Sequence, residues 1–203
     1  MGQRQKGTSP TPTWQSGNLL KKLSGDLPFF HIKEALGFAL AVYSESKLPF
    51  NNLSSFKLPS ELLHTKIISF NDIKILDDSY NSSLESIEYA MKSLLKLKAK
   101  RHLILLSDTH ETHNAEEYHE NIGKAVAAFS PDLILLYGKY THSVKSGALK
   151  NGYPKEKIII LTDSFCESLV ARLTLPLLSP FDALLIKGSH GTNAYKIAPL
   201  LTK

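Results

Sequence analysis

From residue 66 onward the chain alternates between apolar runs of strand length and amphipathic stretches of helix length. The short runs are Lys66–Phe70, Ile73–Leu76, His102–Leu106, Leu133–Tyr137, Ile158–Leu161 and Ala183–Ile186. Their length and their alternation with helix-length stretches predict strands. The longer stretches, 83–98, 114–129, 141–151, 164–175 and 192–201, predict helices. Ser82 with Glu85 three residues later reads as a capping box opening the first helix. Asn114, followed by Glu116 and Glu117, reads as the N-cap of the second, because carboxylates are favoured near the positive end of a helix dipole. Strands that alternate with helices build βαβ units. The expected fold is therefore α/β, a three-layer Rossmann-like domain with a mostly parallel sheet.

The first 65 residues lack this alternation. Residues 1–28 are rich in Gly, Ser, Thr, Pro and Gln, which predicts a flexible N-terminal tail. The segment 32–46 carries a helical apolar pattern, and 47–65 reads as a connector with two prolines. Nothing approaches the roughly 20 apolar residues of a membrane span, and residues 1–25 lack the apolar core of a secretion signal. One cysteine, Cys166, stands in 203 residues. It has no intramolecular partner, which fits a reducing compartment and a cytoplasmic protein. It reads as a small buried residue. The net charge is +5, but Lys and Arg are dispersed, with neither zinc-finger spacing nor an RNP-type aromatic box. That favours a solvated basic surface, or a site for a phosphorylated small molecule, over nucleic acid.

In open α/β sheets ligands sit beyond the carboxyl ends of the strands. Two of those ends are dense in functional groups. Asp77-Asp78-Ser79-Tyr80-Asn81 follows the second predicted strand. Its carboxylates suit a ribose hydroxyl or Mg²⁺, and the same residues equally suit an Asx-turn into a capped helix. Lys187-Gly188-Ser189-His190-Gly191 follows the last strand and offers a cation, glycine-freed amides and a hydroxyl, an anion cradle. It is not a P-loop, and G-x-x-x-x-G-K-[ST] occurs nowhere in the sequence. His110, His113 and His119 lie near Asp108, Glu111 and Glu117, but without H-E-x-x-H spacing they read as solvated residues rather than metal ligands.

These motifs, taken in order, resemble the Mur ligase family. Asp78-Ser79-Tyr80-Asn81 is similar to the family's D-[ST]-Y-N, and Leu106-Ser107-Asp108-Thr109-His110-Glu111 to its L-G-D-M-x-E. Glu117 to Gly123 is similar to E-x-H-x-x-[VI]-G, Asp132 to Gly138 to D-x-[VIL]-x-x-x-G, and Leu184 to Ser189 to V-L-V-K-G-S. The resemblance is strongest to the D-alanyl-D-alanine-adding branch. It implies that 66–203 is a Mur ligase C-terminal, dipeptide-binding domain and that 29–65 is a helical remnant of the end of a central ATPase domain.

The activity implied is ATP-dependent formation of an amide bond between D-alanyl-D-alanine and a UDP-linked muramoyl tripeptide in peptidoglycan synthesis. ATP and Mg²⁺ are the implied cofactors. Asp78, Tyr80 and Asn81 would meet the nucleotide. Asp108, Lys187, Gly188 and Ser189 would bind the dipeptide or a related peptide, and Lys187→Ala is expected to weaken that binding while sparing the fold. No catalytic residue and no metal ligand is assigned. The implied partners are the peptide and a separate Mur ligase central domain, with no nucleic acid and no membrane. Some positions depart from the family pattern. His31 and Glu34 replace two asparagines, Glu61 replaces an arginine, and His190 replaces the arginine after K-G-S. The alternative is a diverged, non-catalytic binding or regulatory module.

Overall fold

The computed structural model describes residues 65–110 and 113–203. The expected tail over 1–28 and remnant over 29–65, with His31, Glu34 and Glu61, lie outside the described residues, Thr65 excepted. Six strands form: β1 (Lys66–Phe70), β2 (Ile73–Asp78), β3 (Arg101–Leu106), β4 (Leu133–Tyr137), β5 (Ile158–Thr162) and β6 (Asp182–Lys187). Five α-helices accompany them: α1 (Leu84–Leu94), α2 (Ala115–Ala128), α3 (Thr141–Lys150), α4 (Glu167–Thr174) and α5 (Ile197–Leu201). The strands form one sheet in the order β1-β2-β6-β3-β4-β5. Only β1 is antiparallel, joined to β2 by the two-residue turn Asn71-Asp72. Both turn residues have positive φ, 47° and 63°, the backbone sense of a type I′ hairpin turn.

Alternation along the strands separates two cores. One face sends Ile73, Ile75, Leu103, Leu105, Leu135, Leu184 and Ile186 against Val170 and Ala171 of α4 and Ile197, Ala198 and Leu201 of α5. The residues between them, Leu76, Ile104, Leu106, Ile134, Leu136 and Leu185, are also buried. They point to the opposite face, where α1 packs on α2 and α2 on α3. A strand covered on both faces needs continuous apolar sequence, hence the runs seen in β3, β4 and β6. Among the described residues no helix is long and apolar enough to cross a membrane.

Several local expectations are corrected. The cap of α1 is Ser83, paired reciprocally with Ser86, rather than Ser82 with Glu85. The Ser82 hydroxyl is occupied elsewhere, accepting a hydrogen bond from Thr109 Oγ1 at 2.9 Å. The stretch 192–201 is not one helix, because Asn193 turns into the left-handed region at φ 58° and splits it into two 3₁₀ turns and α5. The helix expected from 164 starts at Glu167, after hydroxyls of Thr162 and Ser164 have accepted the amides of Ser164 and Cys166. Such local bonds compete with helix. Cys166 is exposed, not buried, since it lies past the end of the edge strand β5.

Helices α2 and α3 pack backbone against backbone. A Cβ placed on Gly123 would lie 1.9 Å from the Val144 carbonyl oxygen, and one on Gly147 would lie 1.9 Å from that of Glu120. Each glycine lets the other helix's backbone in. Gly123→Ala is therefore expected to destabilise the fold by about 1–3 kcal/mol, the usual range for overpacking. Urea denaturation measures it, and a variant as stable as the parent would show that the helices separate freely.

Candidate functional site

The helices that follow β3 and β4 cover one face of the sheet, and the helix that follows β6 covers the other. Strand order reverses at β6, which lies between β2 and β3. A crevice opens at such a switch point, beyond the carboxyl ends of the strands. The ends of β2, β3, β4 and β6 meet there, and those of β2, β3 and β6 carry Asp78, Tyr80, Asn81, Asp108, Lys187, Gly188 and Ser189.

Asp78 and Lys187 belong to the strands and not to the loops after them. They face each other in the last rung of the β2–β6 ladder. The Lys187 side chain is 2% exposed and that of Asp78 13%, with Nζ 3.0 Å from Oδ2. Nζ also donates to the Asp78 carbonyl at 3.2 Å and to the Asn81 carbonyl. An ammonium has three protons to give, and these three acceptors account for them. The second Asp78 oxygen accepts from Thr65 Oγ1 at 2.6 Å. The Asp78–Asn81 turn is thus held from below by one buried cation. This burial revises the expectation that Lys187→Ala would spare the fold.

Asp108, 3% exposed, ties together three strand ends. Its carboxylate accepts the amides of Lys139 and Tyr140, at 2.9 and 3.1 Å, at the start of α3. Its carbonyl accepts the Ser189 amide at 3.0 Å. Ser189 Oγ in turn accepts the His110 amide at 2.9 Å. Gly188 permits this approach, since a Cβ there would lie 2.8 Å from that of Ser107. Beside this junction the Ser107 and Thr192 hydroxyls approach the buried phenol of Tyr137 and favour its ionised form, against the larger effect of burial. Burial pushes the Tyr137 phenol up to about 12. It also raises the Asp77 carboxyl, against the lowering effect of the Ser79 hydroxyl that bonds to it.

His119 is fully buried, contrary to the solvated reading, while His110 and His113 are exposed. Its Nε2 lies 2.9 Å from the Thr109 amide and its Nδ1 2.6 Å from the Ala115 carbonyl. The amide can only donate, so Nε2 accepts and Nδ1 carries the proton. The ring also stacks on Tyr140 at 4.6 Å. Burial holds it below the usual histidine range, with the Ala115 carbonyl and Asp108 opposing the shift. Among the described residues no group of three His, Cys, Asp or Glu is placed to hold a metal ion.

The surface of the crevice is made by other residues. Tyr80 is 51% exposed, and Asn81 is exposed with its Oδ1 accepting the Ser82 amide at 2.8 Å. Tyr80 meets the ring of His190 edge-on at 5.8 Å, and His190 stacks on Tyr195 at 4.6 Å. Sequence reasoning did not single out Tyr195. It stands outside the motifs, and only the left-handed turn at Asn193 brings it back over His190. On the α1–α2 side the crevice continues into a cleft of about 530 Å³ lined by Asn81, Ser83, Thr109, His110, Asn114 and Tyr118. The Tyr118 hydroxyl accepts the Leu84 amide at 2.8 Å and so ties α2 to the first turn of α1. Cys166 lies at the N-cap of α4. Its hydrogen bonds to the Ser168 hydroxyl and the Leu169 amide lower the thiol.

Two outcomes test this geometry. Lys187→Met should cost about 3–5 kcal/mol in urea denaturation, because it leaves Asp78 buried and unpaired. Adding Asp78→Asn should recover part of the loss, and a single-variant loss below about 1 kcal/mol would contradict the buried pair. For His119, the unfolded ring titrates near 6.5 and the folded ring lower. Below that pH the unfolded chain binds more protons, so stability falls as pH drops. Urea midpoints measured from pH 8 to pH 5 should decline in the parent and decline less in His119→Leu. A flat parent profile would rule out the buried neutral ring.

No protein-family model matches the sequence. Solved structures do resemble the fold. MurF from Acinetobacter baumannii aligns over 85% of this chain and 37% of its own, with a TM-score of 0.67 and 18% identity. MurF ligase from Thermotoga maritima, solved in complex with ADP, aligns over 84% of this chain and 37% of its own, at 0.60 and 17%. A murein peptide ligase from Psychrobacter arcticus aligns over 85% of this chain and 37% of its own, at 0.57 and 16%. The chain spans little more than a third of these proteins' length. Its architecture is the α/β fold of a Mur ligase C-terminal domain, with the MurF structures among its neighbours.

Proposed function

We propose that this chain supplies the ligand-presenting domain of an ATP-dependent, amide-bond-forming ligase of peptidoglycan synthesis, the step that joins D-alanyl-D-alanine to a UDP-muramoyl tripeptide. The supporting observation is the crevice at the switch point. The D-S-Y-N and K-G-S segments converge there, in a fold shared with MurF structures. In this reading the domain presents the incoming amine and closes over the nucleotide, contributing proximity and exclusion of water rather than a chemical group.

ATP and Mg²⁺ are the cofactors of this reading, and the described residues fit them only in part. The exposed Tyr80 ring and Asn81 amide suit the base and sugar of a nucleotide. The Lys187 ammonium is fully engaged and Asp78 is neutralised by it, so neither suits phosphate or Mg²⁺. Those groups require a P-loop domain, whose motif this sequence does not contain. The partners are then D-alanyl-D-alanine or a related peptide and a separate Mur ligase central domain, and the compartment is the cytoplasm. One observation favours a second reading, a non-catalytic binding module. Asp108 and Lys187, named from the sequence as ligands, are both occupied by internal bonds.

Calorimetric titration of the full chain with D-alanyl-D-alanine, and separately with ATP and Mg²⁺, tests the proposal. Saturable binding of at least one is expected. Tyr80→Ala should weaken nucleotide binding about tenfold, equivalent to about 1.4 kcal/mol, without lowering the unfolding midpoint. If neither ligand binds, the ligase reading fails. If the chain alone releases ADP from ATP, the non-catalytic reading fails.

A further inference from the structure

At the opposite end of the sheet, where β2, β3 and β6 begin, lies a second cleft of about 710 Å³. It is independent of the crevice and of the function proposed for it. Lys74, Lys98 and Lys100 line it, together with Phe70, Phe181 and a single carboxylate, Asp72. None of the three ammonium groups makes an ion pair among the described residues. The Lys74 Nζ donates to the Lys98 carbonyl at 3.3 Å, which holds that cation against the wall of the cleft. Phe181 is 50% exposed and sits at φ 72°. A bulky residue in that region is strained, by roughly 1–3 kcal/mol. Two backbone bonds hold it there, from its amide to the Asp72 carbonyl at 3.1 Å and from the Lys100 amide to its carbonyl at 2.7 Å. The sequence thus keeps a half-exposed aromatic ring where glycine would be unstrained, in a cleft also lined by three lysines that make no ion pair among the described residues.

We propose that this cleft docks an acidic peptide segment of a partner protein, with its carboxylates at Lys74, Lys98 and Lys100 and an apolar side chain against Phe181 and Phe70. Charge complementarity chooses the class, since three cations face one carboxylate in a concave surface with an aromatic anchor. The Lys100 ammonium lies over the Phe181 ring, 4.8 Å from its centroid, so a cation and the aromatic anchor sit together, as a segment with neighbouring acidic and apolar side chains requires. A single-stranded nucleic acid also seeks cations and rings, and the test separates the two.

The test uses the full chain and a fluorescein-labelled peptide carrying six glutamates around one leucine and one tryptophan. Its controls are the same peptide with glutamine for glutamate and a labelled dT oligonucleotide of similar charge. Saturable anisotropy change with the acidic peptide alone is expected. Lys98→Glu combined with Lys100→Glu should weaken binding about tenfold or more, in line with losing and reversing two exposed charge contacts. Phe181→Gly should weaken it while leaving the thermal midpoint equal or higher, because glycine relieves the positive φ. A purely structural Phe181 would show the reverse, a lower midpoint with unchanged affinity. That result, or equal binding of the glutamine peptide, or preference for the oligonucleotide, would overturn the proposal. So would no binding at all.

Discussion

A buried ammonium at the end of β6 holds the carboxyl ends of β2 and β6 together. Removing a lysine and an aspartate from water is expensive, and their mutual attraction alone seldom offsets it. Here two backbone carbonyls complete the coordination of Nζ, so the cost is met by a full set of hydrogen bonds. The result is geometric. One side chain closes the last rung of the β2–β6 ladder and sets the path of the chain from Asp78 to Asn81. That path turns Tyr80 outward, toward His190.

The other motif residues act in a similar way. Asp108 receives amides from the start of α3 while its carbonyl receives the Ser189 amide. Gly188 lets that loop approach β3, Gly138 leaves room for the Asp108 carboxylate, and His119 fixes Thr109 from beneath. These residues form a frame of internal bonds at the mouths of four strands. The groups at the surface are mostly their neighbours: the rings of Tyr80, His190 and Tyr195, the exposed Asn81, and the polar lining of the cleft between α1 and α2. The frame is buried and the exposed groups of the crevice lie on top of it.

This division explains what the sequence made legible. Run length and alternation identified all six strands and the α/β class, most plainly at β3, β4 and β6, because a doubly covered strand must be apolar throughout. The Asn114 cap was readable because its acceptor role is local. The cap of α1 was not, because a residue far along the chain, Thr109, claims the Ser82 hydroxyl. The break at Asn193 was missed for a related reason, since a single left-handed residue leaves no periodic trace. The motif residues stood out as a set through their order, but their burial was not legible. A lysine at a strand end looks the same in sequence whether it faces a substrate carboxylate or an aspartate on the neighbouring strand. Tyr195 carried no signal, for its place depends on that same unmarked turn.

The paired glycines between α2 and α3 restrict how this domain can change over time. When a new side chain meets another side chain, a second substitution can trim the obstacle and restore the fit. At Gly123 and Gly147 the obstacle is a carbonyl of the facing backbone, which every amino acid carries. No replacement on the opposite helix can make room. The two positions are therefore closed to compensation, and any lineage that loses one must re-space two helices at once or keep both glycines.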